Sequence, residues 1–256
     1  MAFYRRLARG RYLASEHTQG PWDPRTQHMG PVAALIAHEL AQTAPRPGLE
    51  PSRLAADVFA PVPVAELEVR TDVVRDGKRV QCLSASVSSE GREYVRASLW
   101  RIRAAETSPT GAADAPAPPG SVPADDSWIA SDFGYGRAME WRFVAGSPVQ
   151  AGPATVWARP RVPLVEGEEP APFERVALLA DSGNGISAAL GFRTHLFVNV
   201  DLTISLFRAA TGEWVCMDSA TVHGPSGRGL TRSTLYDEMG EIGAASQTLF
   251  VAPRQA

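Results

Sequence analysis

The side chains that most often carry chemistry are sparse in this sequence and stand in no familiar spacing. Cys82 and Cys216 fall in different halves of the chain, with no CxxC or Cys/His cluster around them, so neither a metal site nor a disulfide scaffold is expected. The five histidines form no Ser/His/Asp arrangement and no paired-ligand motif, and there is no GxSxG elbow or P-loop. His38 lies two residues past Ile36, roughly opposite the Val32 stripe of a helix, and reads as solvated. His17, His28 and His195 fall in loop-like sequence, while His223 ends a strand beside Gly224-Pro225, where it could border a site. The run DSGNGIS from Asp181 to Ser187 has the glycines of a phosphate loop but no lysine after them, and reads as a helix end. What remains are scattered carboxylates, hydroxyls and amides, none of which stands out by type or spacing: a strand-opening Asp is commonly a turn or cap residue, and a Thr suits a strand by propensity.

The elements that must position them come in two similar sets. Gly30 to Ala44 places Val32, Ile36 and Leu40 at four-residue steps, with Pro31 suited to a first turn and Pro45 as a stop, which predicts a helix. Strand-like runs follow at 53–60, 66–75, 80–89 and 92–103, the last three separated by Asp76-Gly77 and Glu90-Gly91 in hairpin fashion. Arg11 to Ser15 could add a strand upstream. The order then recurs. Pro172 to Ser182 carries Phe173, Val176, Leu179 and Ala180 on a helical stripe ended by Gly183-Asn184-Gly185, and strands are expected at 198–208, 213–223, 229–237 and 242–251. Gly91 and Gly240 hold the same turn, 240 − 91 = 149 residues apart, and Asp57 and Asp201 open corresponding strands, 201 − 57 = 144 apart. A five-residue difference is ordinary loop variation, so duplication is the economical explanation. Each unit has the form of a long helix wrapped by an antiparallel sheet, an α+β architecture.

The stretch AAETSPTGAADAPAPPGSVPADD, Ala104 to Asp126, cannot bury a face of either periodicity and reads as a poorly ordered linker. The organisation expected is a unit at 1–104, a linker at 105–126 and a unit at 127–256. With 256 residues, 44% of them hydrophobic, there is material for two ordinary cores. The net charge of −3 lacks the basic excess of a nucleic-acid surface. No apolar run reaches signal-peptide or membrane-span length, so a cytoplasmic protein is expected.

The segments HMGPVAALIAHELAQ, DVFAPVPVAELEV, VVRDGKRVQ and EGREYVRASL resemble the amino-terminal hotdog of TesB-like acyl-CoA thioesterases. PFERVALLADSGNGIS, VNVDLTISLFRAATGEWV and the run from Met217 to Leu249 resemble the carboxy-terminal one. The resemblance implies a double hotdog that hydrolyses an acyl-CoA, or a carrier-protein thioester, by direct attack of water, without metal or bound cofactor. It maps the family's Asp, hydroxyl and Gln onto Asp201, Thr221 and Gln247, with Ser219 competing for Thr221 and Asp57 as a non-functional repeat partner. The helix start at Met29-Gly30-Pro31 would offer backbone N–H groups to the thioester oxygen, although Gly30 could equally serve close packing. Arg25, Arg193 and Arg228 are expected near the mouth of the site to meet CoA phosphates. A homo-oligomer is compatible with the resemblance. Two rivals stand beside hydrolysis: an acyl-thioester binding module that has lost catalysis, and a hotdog hydratase or dehydratase, whose usual His context is absent.

Overall fold

The computed structural model describes residues 1–108 and 110–254. The first half contains β1 (Tyr4–Ala8), β2 (Arg11–Ala14), α1 (Met29–Gln42), β3 (Leu49–Val58), β4 (Glu66–Asp76), β5 (Val80–Ser89) and β6 (Arg92–Arg103). The second contains α2 (Trp128–Ser131), α3 (Gly134–Ala138), β7 (Met139–Ala145), β8 (Ala154–Pro160), α4 (Pro172–Ala180), α5 (Gly183–Ile186), β9 (His195–Asn199), β10 (Asp201–Leu206), β11 (Val215–His223), β12 (Arg228–Asp237) and β13 (Gly240–Pro253).

All named strands share one antiparallel sheet in the order β1-β2-β4-β5-β6-β3-β10-β13-β12-β11-β8-β7, with β9 paired to β13 off that path. The order β4-β5-β6-β3 is mirrored by β11-β12-β13-β10, so the two hotdog sheets meet edge to edge through β3 and β10. Asp57 lies directly across from Asp201 in that pair. Each therefore faces its own repeat counterpart, and a local two-fold axis passes between them.

The glycine turns behave as their spacing predicts. Between β5 and β6, Glu90 and Gly91 have φ of 50° and 79°, the doubly left-handed conformation of a tight hairpin, for which Gly91 is suited because it has no Cβ.

Helix α1 is buried from Met29 through Leu40. One side fits the curved first sheet and the other meets α4, so the face that the sequence assigned to solvent is covered. His38 corrects that expectation: it is buried, and its Nδ1 donates to Glu174 Oε1 on α4 at 3.0 Å while Nε2 accepts from Arg6 at 2.7 Å and Gln42 at 2.8 Å. Arg and amide N–H groups can only donate, which fixes the tautomer. Val32, Leu35, Ile36 and Leu40 are fully buried, each contributing about 1.5–3 kcal/mol.

The proline-rich connection is held against the second sheet rather than left loose. Ala113 O accepts from Glu241 N at 3.0 Å, Ala117 O from Trp157 Nε1 at 2.8 Å, and Pro119 O from Arg142 Nη1 at 2.8 Å. Its backbone carbonyls are fixed by partners supplied from the sheet, which composition alone could not indicate. Among the described residues, no helix is long and apolar enough to cross a membrane.

Candidate active site

The helical segment of the second half breaks where α4 ends at Ala180. Asp181 and Ser182 follow, and α5 begins at Gly183. The break turns the Asp181 side chain inward, where the residue is 3% exposed. Asn199 Nδ2, from the end of β9, donates to Asp181 Oδ1 at 2.9 Å, and Gln247 Nε2, from β13, donates to the same oxygen at 3.0 Å and to the Asp181 carbonyl at 2.9 Å. Gln247 Oε1 in turn accepts from Asn184 N at 3.0 Å, pinning the start of α5 to the sheet.

The other carboxylate oxygen faces the first half. Asp181 Oδ2 lies 3.1 Å from His28 Nδ1, and the backbone N–H groups of Met29 and Gly30, at the start of α1, favour the ionised form of the carboxyl group. Partial positive charge at the end of this long helix favours an anion there. Burial outweighs these donors and pushes Asp181 up to about 7. Burial pushes His28 the other way, down to about 3, so the contact is not an ion pair at neutral pH. Gly30 N–H also donates to His28 Nδ1 at 3.1 Å, which makes that nitrogen a hydrogen-bond acceptor facing the Asp181 carboxyl group. The imidazole stacks on Tyr135 at 4.0 Å between centroids, and the Tyr135 hydroxyl binds Leu178 O and Ser182 Oγ, both at 2.9 Å.

The expected triad is not brought together. On β10, Leu202 and Ile204 point into the core and Asp201 points to the opposite face, with its carboxylate accepting from Thr248 N at 2.6 Å. On β13, Gln247 points inward and Thr248 outward. Asp201 and Gln247 are thus on opposite sides of the sheet, because successive strand residues alternate faces. Thr221 does face inward, in one row with Thr231 and Gln247, but its hydroxyl is engaged by Ser187 Oγ and Thr231 Oγ1, both at 2.7 Å. Ser219 is buried against Ser233 Oγ at 2.7 Å. Of the three residues expected to act together, only Gln247 touches the buried carboxylate.

Gly30 serves packing. A Cβ there would lie 2.2 Å from the Leu178 carbonyl oxygen, so α1 and α4 approach backbone to backbone, while Met29 lines the cavity beside Asp181. That cavity, of about 450 Å³, rises from Asp181, His28 and Asn199 to a mouth bordered by the exposed side chains of Phe59, Val200 and Phe250. Arg25, Arg193 and Arg228 adjoin the mouth without lining it: Arg25 pairs with the lining residue Asp23 at 2.7 Å, Arg193 follows Phe192 in the chain, and Arg228 is the cross-strand partner of Phe250. Arg254, which the sequence did not single out, lies over the Trp22 ring at 5.7 Å.

Sequence reasoning passed over Asp181 and Asn199. The polar break ADSGN at a helix end is the local signal for Asp181, Asn199 has none, and burial, which separates a cap from a poised carboxylate, belongs to the tertiary structure.

Residues 18–102 match the acyl-CoA thioesterase N-terminal domain and residues 109–251 match the acyl-CoA thioesterase C-terminal domain. Among curated proteins, none matches the chain. Similar solved structures include a candidate thioesterase from Novosphingobium aromaticivorans, at 21% identity and TM-score 0.77 over 98% of each chain. A hotdog-fold protein from Alicyclobacillus acidocaldarius has 16% identity and TM-score 0.77 over 96% of this chain and 93% of its own. The acyl-CoA thioesterase II TesB2 of Mycobacterium marinum has 17% identity and TM-score 0.72 over 99% and 96%. At these identities the structures establish a shared fold.

Proposed function

We propose, since the chain belongs to the acyl-CoA thioesterase family and is a thioester hydrolase, that it cleaves an acyl-CoA to the free acid and CoA at Asp181, by direct attack of water. The observation that carries this reading is the buried Asp181 carboxylate, raised to about 7 and fixed by Asn199 and Gln247 at the floor of an apolar cavity. A carboxyl group at its ordinary value is a weak base. Near 7 it is part-ionised at neutral pH and far better matched to taking a proton from water.

In this reading a water between Asp181 and the thioester carbonyl forms the new C–O bond as its proton passes to Asp181. The tetrahedral intermediate collapses, the C–S bond breaks, and the leaving thiolate recovers the proton. Asn199 and Gln247 spend their amide N–H groups on Asp181 and on the Asp181 and Asp201 carbonyls. They orient the base rather than the water. Between the two steps the proton rests on Asp181, whose Oδ2 lies 3.1 Å from His28 Nδ1.

The test is a thiol-release assay with graded acyl-CoA esters, run on the wild type, Asp181→Asn and Asp201→Asn. Loss of general-base assistance lowers kcat by about a hundredfold to ten-thousandfold in Asp181→Asn, while Asp201→Asn stays near wild type. Thioester binding without turnover in the wild-type protein would favour a binding module instead, and full activity in Asp181→Asn would remove Asp181 from the mechanism.

A further inference from the structure

Among the described residues, the packing behind Asp181 is closed at two places, and this bears on the acyl group. Between the helices, the Gly30 Cα meets the Leu178 carbonyl so closely that a methyl group at position 30 would lie 2.2 Å from that oxygen. Between α5 and the sheet, a Cβ on Gly183 would lie 2.8 Å from Ser233 Oγ and 3.0 Å from Gln247 Oε1, and the linked hydroxyls of Ser187, Thr221 and Thr231 fill the space beyond. A thioester whose carbonyl reaches Asp181 must therefore keep its acyl group on the solvent side, in the same cavity of about 450 Å³ that admits the pantetheine arm.

The shape of that space is the second observation. One wall is a continuous run of rings: Trp22 and Phe192 have centroids 5.0 Å apart, Phe192 and Trp128 4.8 Å, and Trp128 and Phe133 5.9 Å, and Phe133 leads to Tyr135 over the His28 ring. The lining also includes the aliphatic residues Val58, Val62 and Val198. Aromatic faces and edges at these separations are suited to receiving a further ring in an offset or edge-on arrangement. A rigid planar group also surrenders less conformational freedom on entry than a linear chain folded into the same volume.

We propose, building on the hydrolase reading above, that the preferred substrates are short acyl thioesters ending in an aromatic ring, of the arylacyl or arylacetyl class, and not long linear acyl thioesters. The ring packs on Trp22, Trp128 and Phe192 while the carbonyl sits over Asp181.

The experiment compares kcat/KM for acetyl-, hexanoyl-, phenylacetyl- and dodecanoyl-CoA in the wild type, Phe192→Leu and Trp22→Leu, substitutions that keep an apolar side chain and remove the ring. Phenylacetyl-CoA is expected to exceed dodecanoyl-CoA by about tenfold or more, and each variant to lose roughly threefold to tenfold more on phenylacetyl-CoA than on acetyl-CoA. Dodecanoyl-CoA turned over as fast as phenylacetyl-CoA overturns the proposal. The same ranking is read independently as calorimetric affinity for Asp181→Asn. If every ester is inert with the wild type, the hydrolase reading fails, and the affinities still decide the acyl class: tighter binding of phenylacetyl-CoA sustains it and tighter binding of dodecanoyl-CoA rejects it.

Discussion

The two halves share a strand order but divide the labour of the site, and their helices show how. In the first half, α1 runs unbroken for 14 residues because MGPVAALIAHELAQ contains no helix breaker after Pro31 in its first turn. Its contribution is its start, where the N–H groups of Met29 and Gly30 and the His28 ring meet the partner half. In the second, α4 stops after nine residues and Asp181-Ser182 turns the chain before α5. That interruption contributes the carboxylate. A duplicated unit has thus kept its sheet twice and specialised its helix in opposite directions, one as a dipole end and one as an acid, with the proposed base where they meet.

The largest expected effect is the asymmetry itself. Asp181→Asn should lower kcat by about a hundredfold to ten-thousandfold, whereas Asn at Asp57 or Asp201, the pair on the outer face of the central strands, should change it by less than about threefold. Comparable losses at 57 and 181 in steady-state assays would erase the division between halves. Next come Asn199→Ala and Gln247→Ala, each expected to cost about tenfold to a hundredfold in kcat. Their double variant should fall short of the product, because both act through one carboxylate.

The pH dependence follows from the sign of the shift. Asp181 must be ionised to accept a proton, so log kcat should rise with pH up to a midpoint near 7 and then level off, and a profile flat from pH 5 to 8 would exclude this group as the base. Stability runs the other way. A carboxyl group raised from 3.8 to about 7 holds its proton in the folded state, so its stabilising contribution is complete below about pH 4 and is lost as pH rises through 7, amounting to about 4 kcal/mol. Denaturant titrations of wild type and Asp181→Asn at pH 5 and pH 8.5 should show the variant gaining on the wild type at the higher pH. The smallest expected effect sharpens the first half's role: Gly30→Ala should cost about 1–3 kcal/mol from overpacking and also lower kcat, while Gly91→Ala, distant from the site, should alter stability only.

Much of the fold was legible because its signals are local. The Val32, Ile36, Leu40 spacing gave α1, and the runs at 80–89 and 92–103 coincide with β5 and β6. The repeat read from Gly91 and Gly240 and from Asp57 and Asp201 is the one the sheet displays. Strands β1, β7 and β8 were missed. They belong to hairpins at the two outer edges of the sheet, β1-β2 beside β4 and β7-β8 beside β11, and β7 is a short run, MEWRFVA, with Glu140 and Arg142 among its apolar residues. The segment taken as one strand from 198 to 208 is divided at Val200, so β9 and β10 pair with neighbouring parts of β13. The site was less legible, and the reason is parity. Choosing Asp201 as the carboxylate placed it one residue out of phase with the inward positions of β10, and in a strand that single step moves a side chain from the core to the outside.

The contact between Gly30 and Leu178 works as a gauge block. The Leu178 carbonyl is held on one side by the bare Cα of Gly30 and on another by the Tyr135 hydroxyl, and Asp181 stands three residues further along the same stretch of chain. Any side chain at position 30 would push the block away and carry the carboxylate off its amide donors before it altered a single atom of the cavity. The tolerance of the proposed chemistry is therefore set at a place outside the cavity lining, and the freedom of position 30 to drift over generations is set by machining precision rather than by ligand recognition.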